Sequence, residues 1–177
     1  MKMQIVCDYS LRIRQATIGY KGSVHDAKIF AESAIGRAPG NYFCERQWIA
    51  GDSAYPLNRN IITPFRENSN ELSQYKRDRF NKYFSKYRVR VENCFGKLKE
   101  RFSSLKELRF RLSNENNYKS CCRWILACCI LHNILQDFNN DDDNSCDGEE
   151  IDYPPEIYEQ HESRIALAEF VNNRSSQ

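Results

Sequence analysis

The sequence predicts an α/β or α+β domain in which helices pack on a small sheet. Three observations carry that expectation. The elements read in the order strand, strand, helix, strand, strand, helix, helix. The 177 residues are 41% hydrophobic and 28% charged, enough to build one core. Glycine and proline total only 12, too few for a collagen-like or linker-like chain.

Each element has a local reason. Residues 3–7, Met-Gln-Ile-Val-Cys, and residues 12–18, Arg-Ile-Arg-Gln-Ala-Thr-Ile, flank Asp8-Tyr9-Ser10. Two strands around a turn tripeptide make a β-hairpin. Residues 19–23 read as a loop. Residues 27–35 read as a helix with Ile29, Phe30 and Ala34 turned inward and Gly36 just past its end. Residues 37–42 hold Pro39 and Gly40 and read as a loop. Residues 47–50 form a short apolar run that stops at Gly51-Asp52-Ser53, as a short buried strand would. Ile61-Ile62-Thr63, closed by Pro64, reads as another strand.

Residues 71–108 contain no proline and are helix-prone. Val91, Phe95, Leu98 and Phe102 step by four, three and four, an amphipathic stripe. Ser85 offers a cap that would divide this stretch into two helices. Residues 117–138 are apolar nearly all round, which predicts a buried helix. Residues 139–150 read as a disordered acidic linker, and 157–171 as one short terminal helix. The organisation expected is thus a folded part over 1–138 and an acidic tail over 139–177.

Net charge is +2, but it is segregated. Residues 73–111 hold 13 Lys or Arg and 4 Asp or Glu; residues 137–162 hold 11 acids and no Lys or Arg. The basic block is either a solvated helix face or a surface that meets phosphates. The acidic tail has a solvating composition, and it could shield the basic helix when no polyanion is bound. No apolar run approaches the roughly 18–20 residues that span a bilayer. The start has no secretory pattern, so an intracellular, reducing setting is expected, in which eight cysteines are thiols. Cys128 and His132 are four apart and share a helix face, a spacing zinc can use, but two further ligands are unspecified. Small core residues are the favoured reading of Cys121, Cys122, Cys128 and Cys129.

Three places could carry chemistry. Asp52 sits where a strand stops, where ligands of α/β sheets commonly bind; it also reads as a turn cap. Glu92 lies on the basic helix, four residues after Arg88; a surface ion pair explains it equally well. His25 and Asp26 lie at a loop-to-helix junction. Carboxylates drawn together from distant sequence form a hard oxygen site suited to Mg²⁺ or Mn²⁺. Two such ions can support phosphodiester cleavage.

Six short motifs occur in order: Gly22-Ser23-Val24-His25-Asp26, Gly51-Asp52-Ser53-Ala54-Tyr55-Pro56-Leu57, Thr63-Pro64-Phe65, Phe80-Asn81, the run from Arg88 through Glu92 to Phe102, and Ile130-Leu131-His132-Asn133. Together they resemble the PIF/Harbinger transposase-derived nucleases, a DDE-type group, over residues 3–135. The resemblance implies a ribonuclease-H-like fold, a divalent metal (Mg²⁺ or Mn²⁺), DNA as substrate, a nuclear setting and a separate Myb-like DNA-binding partner. It implies that Asp52 and Glu92 are catalytic and hold metal, with Asp26 supporting them. Arg88, Lys97, Lys99 and Arg101 of the basic block are the expected contacts to DNA, and His132, which also matches a family position, is expected to be structural because its helix reads as buried. The family's first catalytic aspartate lies on a strand upstream of the segment resembling residues 3–7, so a sheet without its first strand is expected, with absent or impaired cleavage. Asp8 sits in the hairpin turn and is a weak stand-in for that acid. The alternative function is a non-catalytic domain that binds DNA or protein, and a third reading is a helical interaction module with no nucleic-acid role.

Overall fold

The computed structural model describes residues 1–44, 47–68, 73–108 and 114–142. Its elements are β1 (Lys2–Cys7), β2 (Ile13–Tyr20), α1 (Asp26–Glu32), α2 (Ala34–Arg37), β3 (Ile49–Ala50), β4 (Ile61–Ile62), α3 (Gln74–Arg101) and α4 (Glu115–Asp142). Single 3₁₀ turns lie at Pro39–Asn41 and Ser103–Leu105. The chain is mixed α/β, with one two-stranded antiparallel sheet and one two-stranded parallel sheet. It divides into two compact units: Met1–Arg37 with the chain from Tyr87 through α4, and Ala38–Lys86. No helix among the described residues is long and apolar enough to cross a membrane.

In the first unit β1 and β2 form the expected hairpin, with Ile5 opposite Ala16. Asp8 closes its turn. The Asp8 carboxylate accepts the Arg12 N–H at 2.9 Å and the Arg14 Nε–H at 2.7 Å. β2 runs through Gly19 and Tyr20, two residues assigned above to a loop. The ladder shifts register between Lys2 and Met3, and Gly19 answers with φ +99°, a conformation side chains resist. A Cβ there would also lie 2.8 Å from the Tyr118 hydroxyl.

The predicted helix over 27–35 is two helices. Ser33 is extended, and its Oγ accepts the Gly36 N–H at 3.1 Å, so the serine ends α1 and starts α2. Ile29 and Ile35 are buried, whereas Ala34 is exposed, because the break rotates the inward face.

The core of this unit joins Ile5, Leu11 and Ile13 of the hairpin to Cys94 and Leu98 of α3 and to Cys121, Ile125, Cys128 and Cys129 of α4. Cysteine serves here as a small apolar filler that lets helices approach closely. The stripe of Val91, Phe95, Leu98 and Phe102 does face this core, but the most buried residue beside it is Cys94. α4 differs most from expectation. One side is buried and the opposite side is open, with Trp124, Ile130, Leu131, Ile134 and Phe138 all exposed. It also continues to Asp142, into the stretch read as a linker. The predicted terminal helix over 157–171 lies outside the described residues.

In the second unit β3 and β4 pair in parallel, Ile49 with Ile61 and Ala50 with Ile62. Ile62, Phe65, Phe80 and Phe84 make its core. The Phe65 and Phe80 rings meet edge to face at 5.1 Å, and Phe80 and Phe84 stack at 5.5 Å. Ser85 does not break α3: its Oγ–H donates to the Lys82 carbonyl at 2.7 Å, inside the helix.

One device recurs in both units. The Asn133 side chain accepts the Ile13 N–H and donates to the Ile13 carbonyl, both at 2.8 Å. The Asn81 side chain does the same to Phe65, at 2.8 and 3.0 Å. A carboxamide carries both a donor and an acceptor, so it pairs with one backbone residue as a neighbouring strand would. Replacing either asparagine by alanine removes two hydrogen bonds to the backbone, and each change is expected to cost about 1–3 kcal/mol. Chemical denaturation checks this; a midpoint unchanged in both variants would contradict it.

Candidate functional site

Asp52 follows β3 directly. Gly51 donates its N–H to the Ile62 carbonyl at 2.8 Å, completing the parallel pair. A side chain at Gly51 would come within 3.1 Å of both Ile61 and Tyr55, so glycine is what lets the chain turn here. The Asp52 Oδ1 then accepts the Ala54 N–H at 2.8 Å, an Asx turn. The carboxylate is half-exposed at a strand end, and it also serves as the turn cap.

Glu92 lies on α3 in the other unit. Its side chain is 66% exposed and meets Arg88 at 3.8 Å, the i,i+4 ion pair that spacing allows. Asp26 begins α1, a position where a carboxylate suits the helix dipole. It pairs with Lys2 at 3.2 Å, and Lys2 also donates to the Val24 carbonyl at 2.8 Å. Each carboxylate therefore has a local partner. Their oxygen chemistry suits a hard divalent cation. The number does not: among the described residues no group of three His, Cys, Asp or Glu could hold a metal ion.

The cations sort differently from the acids. α3 carries ten Lys or Arg and three Asp or Glu. Arg88, Lys97 and Lys99 are exposed, and so are Lys82 and Lys86 nearer its start. The latter two were not among the residues singled out above, although they share the four-residue spacing of an exposed face. Arg90 is half-buried, its guanidinium 3.9 Å from the centre of the Tyr9 ring. Arg101 points inward: its Nη1 lies 3.2 Å from both the carbonyl and the Nδ1 of His132.

His132 is fully buried, and its Nε2 lies 2.9 Å from the Leu11 carbonyl. A carbonyl only accepts, so Nε2 carries the proton and Nδ1 accepts from Arg101. Burial holds His132 below the ordinary histidine value, and the charges of Arg101 and Lys97 act in the same direction; the Leu11 hydrogen bond opposes them. Cys94, in contrast, stays protonated. Its hydrogen bond with Cys7 and its burial push it far above the usual thiol range, and its Sγ–H donates to the same Leu11 carbonyl at 3.3 Å.

Comparison with known proteins adds what geometry alone does not carry. Residues 1–133 match the family described as DDE superfamily endonuclease. The chain is 27% identical over 163 residues to the Mus musculus protein named "Putative nuclease HARBI1", covering 92% of this chain and 45% of that one. The Homo sapiens protein of the same name is 28% identical over the same shares. Similarity to the Arabidopsis thaliana "Protein ALP1-like" is 27% over 153 residues, with 79% of this chain and 36% of that protein covered. The chain spans less than half the length of these curated relatives. No solved structure matches it.

The buried histidine makes stability depend on pH. The folded protein binds this proton less readily than the unfolded chain, whose histidine titrates near 6.5. Stability from this group is complete above that value and falls as pH drops below it. A denaturation midpoint that falls between about pH 6.5 and 5, more steeply than in His132→Gln, is expected. Equal slopes for the two proteins would contradict it.

Proposed function

This chain belongs to the DDE superfamily endonuclease family, bearing out its resemblance to Harbinger transposase-derived nucleases, and on that premise we propose that it acts on DNA as part of a phosphodiester-cleaving nuclease. The observation that carries this reading is the exposure of Arg88, Lys97 and Lys99, three of the ten cations of α3. Cations on a rigid helix neutralise phosphates and release condensed counterions, so they bind a duplex without reading its sequence.

Asp52 and Glu92 are the acids this reading assigns to cleavage, with Asp26 in support. The family implies a divalent metal, Mg²⁺ or Mn²⁺, which when bound would polarise the phosphate and activate water. The exposed cations of this chain would hold the polyanion while those acids act. The same observation favours a second reading, in which the chain binds DNA without cutting it. A ribonuclease-H-like arrangement, a nuclear setting and a separate Myb-like partner belong to the same proposal and rest on the family.

Two measurements separate the readings. With three phosphate contacts, affinity for a duplex falls roughly forty-fold between 50 and 200 mM salt, and alanine at Arg88, Lys97 and Lys99 together flattens that slope. Salt-independent binding would contradict the electrostatic account. In a plasmid-nicking assay with Mg²⁺ or Mn²⁺, cleavage abolished by Asp52→Ala and by Glu92→Ala supports the nuclease reading. Salt-sensitive binding without nicking supports the second reading, and nicking that survives both substitutions excludes these acids.

A further inference from the structure

α4 carries its more apolar side outward. Between Arg123 and Asp137 every exposed residue of the helix is apolar, while the side against the hairpin holds Ile125, Cys128, Cys129, His132 and Gln136. The outward residues are ordered. Trp124, the half-buried Ala127, Leu131, Ile134 and Phe138 step by three, four, three and four, the seam of a helix that packs against another helix. Leu126, Ile130 and Leu135 widen it.

The size of this surface is informative. Its seven large side chains are 42–64% exposed. Aromatic side chains present roughly 150–250 Å² and aliphatic ones somewhat less, so the face leaves on the order of 600 Å² open. That is at the upper limit of what a monomer ordinarily exposes, ~300–600 Å², and close to the ~800 Å² per partner of a standard interface.

We propose that two copies of this chain pair their α4 helices antiparallel across this seam. A twofold contact requires a surface that complements itself, and a charge-free apolar seam does so. The charges beside it set the direction. Arg123, Ile130 and Asp137 are seven apart and share one flank. Antiparallel pairing brings Arg123 of one copy beside Asp137 of the other and Ile130 beside its own counterpart. Parallel pairing would gather two Arg123 at one end and two Asp137 at the other. Asp137 already pairs with Arg12 of its own chain, and a carboxylate can accept two cations. Leu131, at the centre of the seam, lies on the twofold axis and meets its counterpart. The inference is independent of the nuclease reading.

Sedimentation of the full 177-residue chain tests it, over a hundred-fold concentration range around the micromolar scale. A species of twice the 20.9 kDa chain mass is expected. Leu131→Glu sets two carboxylates against each other on the axis and should weaken association more than ten-fold, with helix content by circular dichroism unchanged. Arg123→Asp leaves the seam intact and should weaken it several-fold; this variant decides the matter if Leu131→Glu loses helix. A monomer throughout the range would overturn the proposal. So would a dimer indifferent to both substitutions, a ladder of larger species, or a monomer that sediments with zwitterionic lipid vesicles.

Discussion

One carbonyl oxygen organises the first unit. Leu11 O accepts from Cys94 of α3 and from His132 of α4, so a hairpin turn and two long helices meet at a single acceptor. Presenting it has a cost: Leu11 stands at φ +60°, which a non-glycine residue adopts at an expense of roughly 1–2 kcal/mol. Burial of the Leu11 side chain in the core offsets that expense. Arg101 then holds His132 from its other side. The Asn133 clamp on Ile13 repeats the link one residue further along α4 and two further along the hairpin. The sequence neighbours His132 and Asn133 thus fix two nearby backbone positions of the hairpin.

This changes the meaning of the ordered motifs. Several of the residues that carry the family resemblance turn out to be joints. Asn133 and Asn81 complete backbone pairing, Gly51 permits a turn, and His132 seals a buried junction. Such residues tolerate little substitution, because each alternative leaves a buried donor or acceptor without a partner. Asp52 and Glu92 are different. Asp52 accepts one turn N–H and the exposed Glu92 meets Arg88, so neither seals a buried junction.

The sequence was legible where one physical rule acted alone. Alternation around Asp8-Tyr9-Ser10 made the hairpin plain, and the stop at Gly51-Asp52 marked the end of β3. It was less legible where two rules competed. Serine at position 33 caps and divides a helix, whereas serine at position 85 bonds back within one; the residue type is the same, and only tertiary packing distinguishes them. α4 is apolar on every side, so periodicity could not tell which side faces inward. That choice fell to hydrogen bonding, since His132 must reach Leu11 and Asn133 must reach Ile13. Of the cations proposed from sequence, Arg101 is engaged with α4, a role invisible without the position of His132. Lys82 and Lys86 emerged as exposed only once α3 was seen to run unbroken.

If the exposed cations of α3 lie along a DNA backbone, lysine footprinting by mass spectrometry is the most direct way to see it. A duplex should shield Lys82, Lys86, Lys97 and Lys99 from acetylation while the exposed Lys28 of α1 and Lys119 of α4 stay reactive. Equal reactivity of all six with and without duplex, or protection confined to Lys28 and Lys119, would contradict the account.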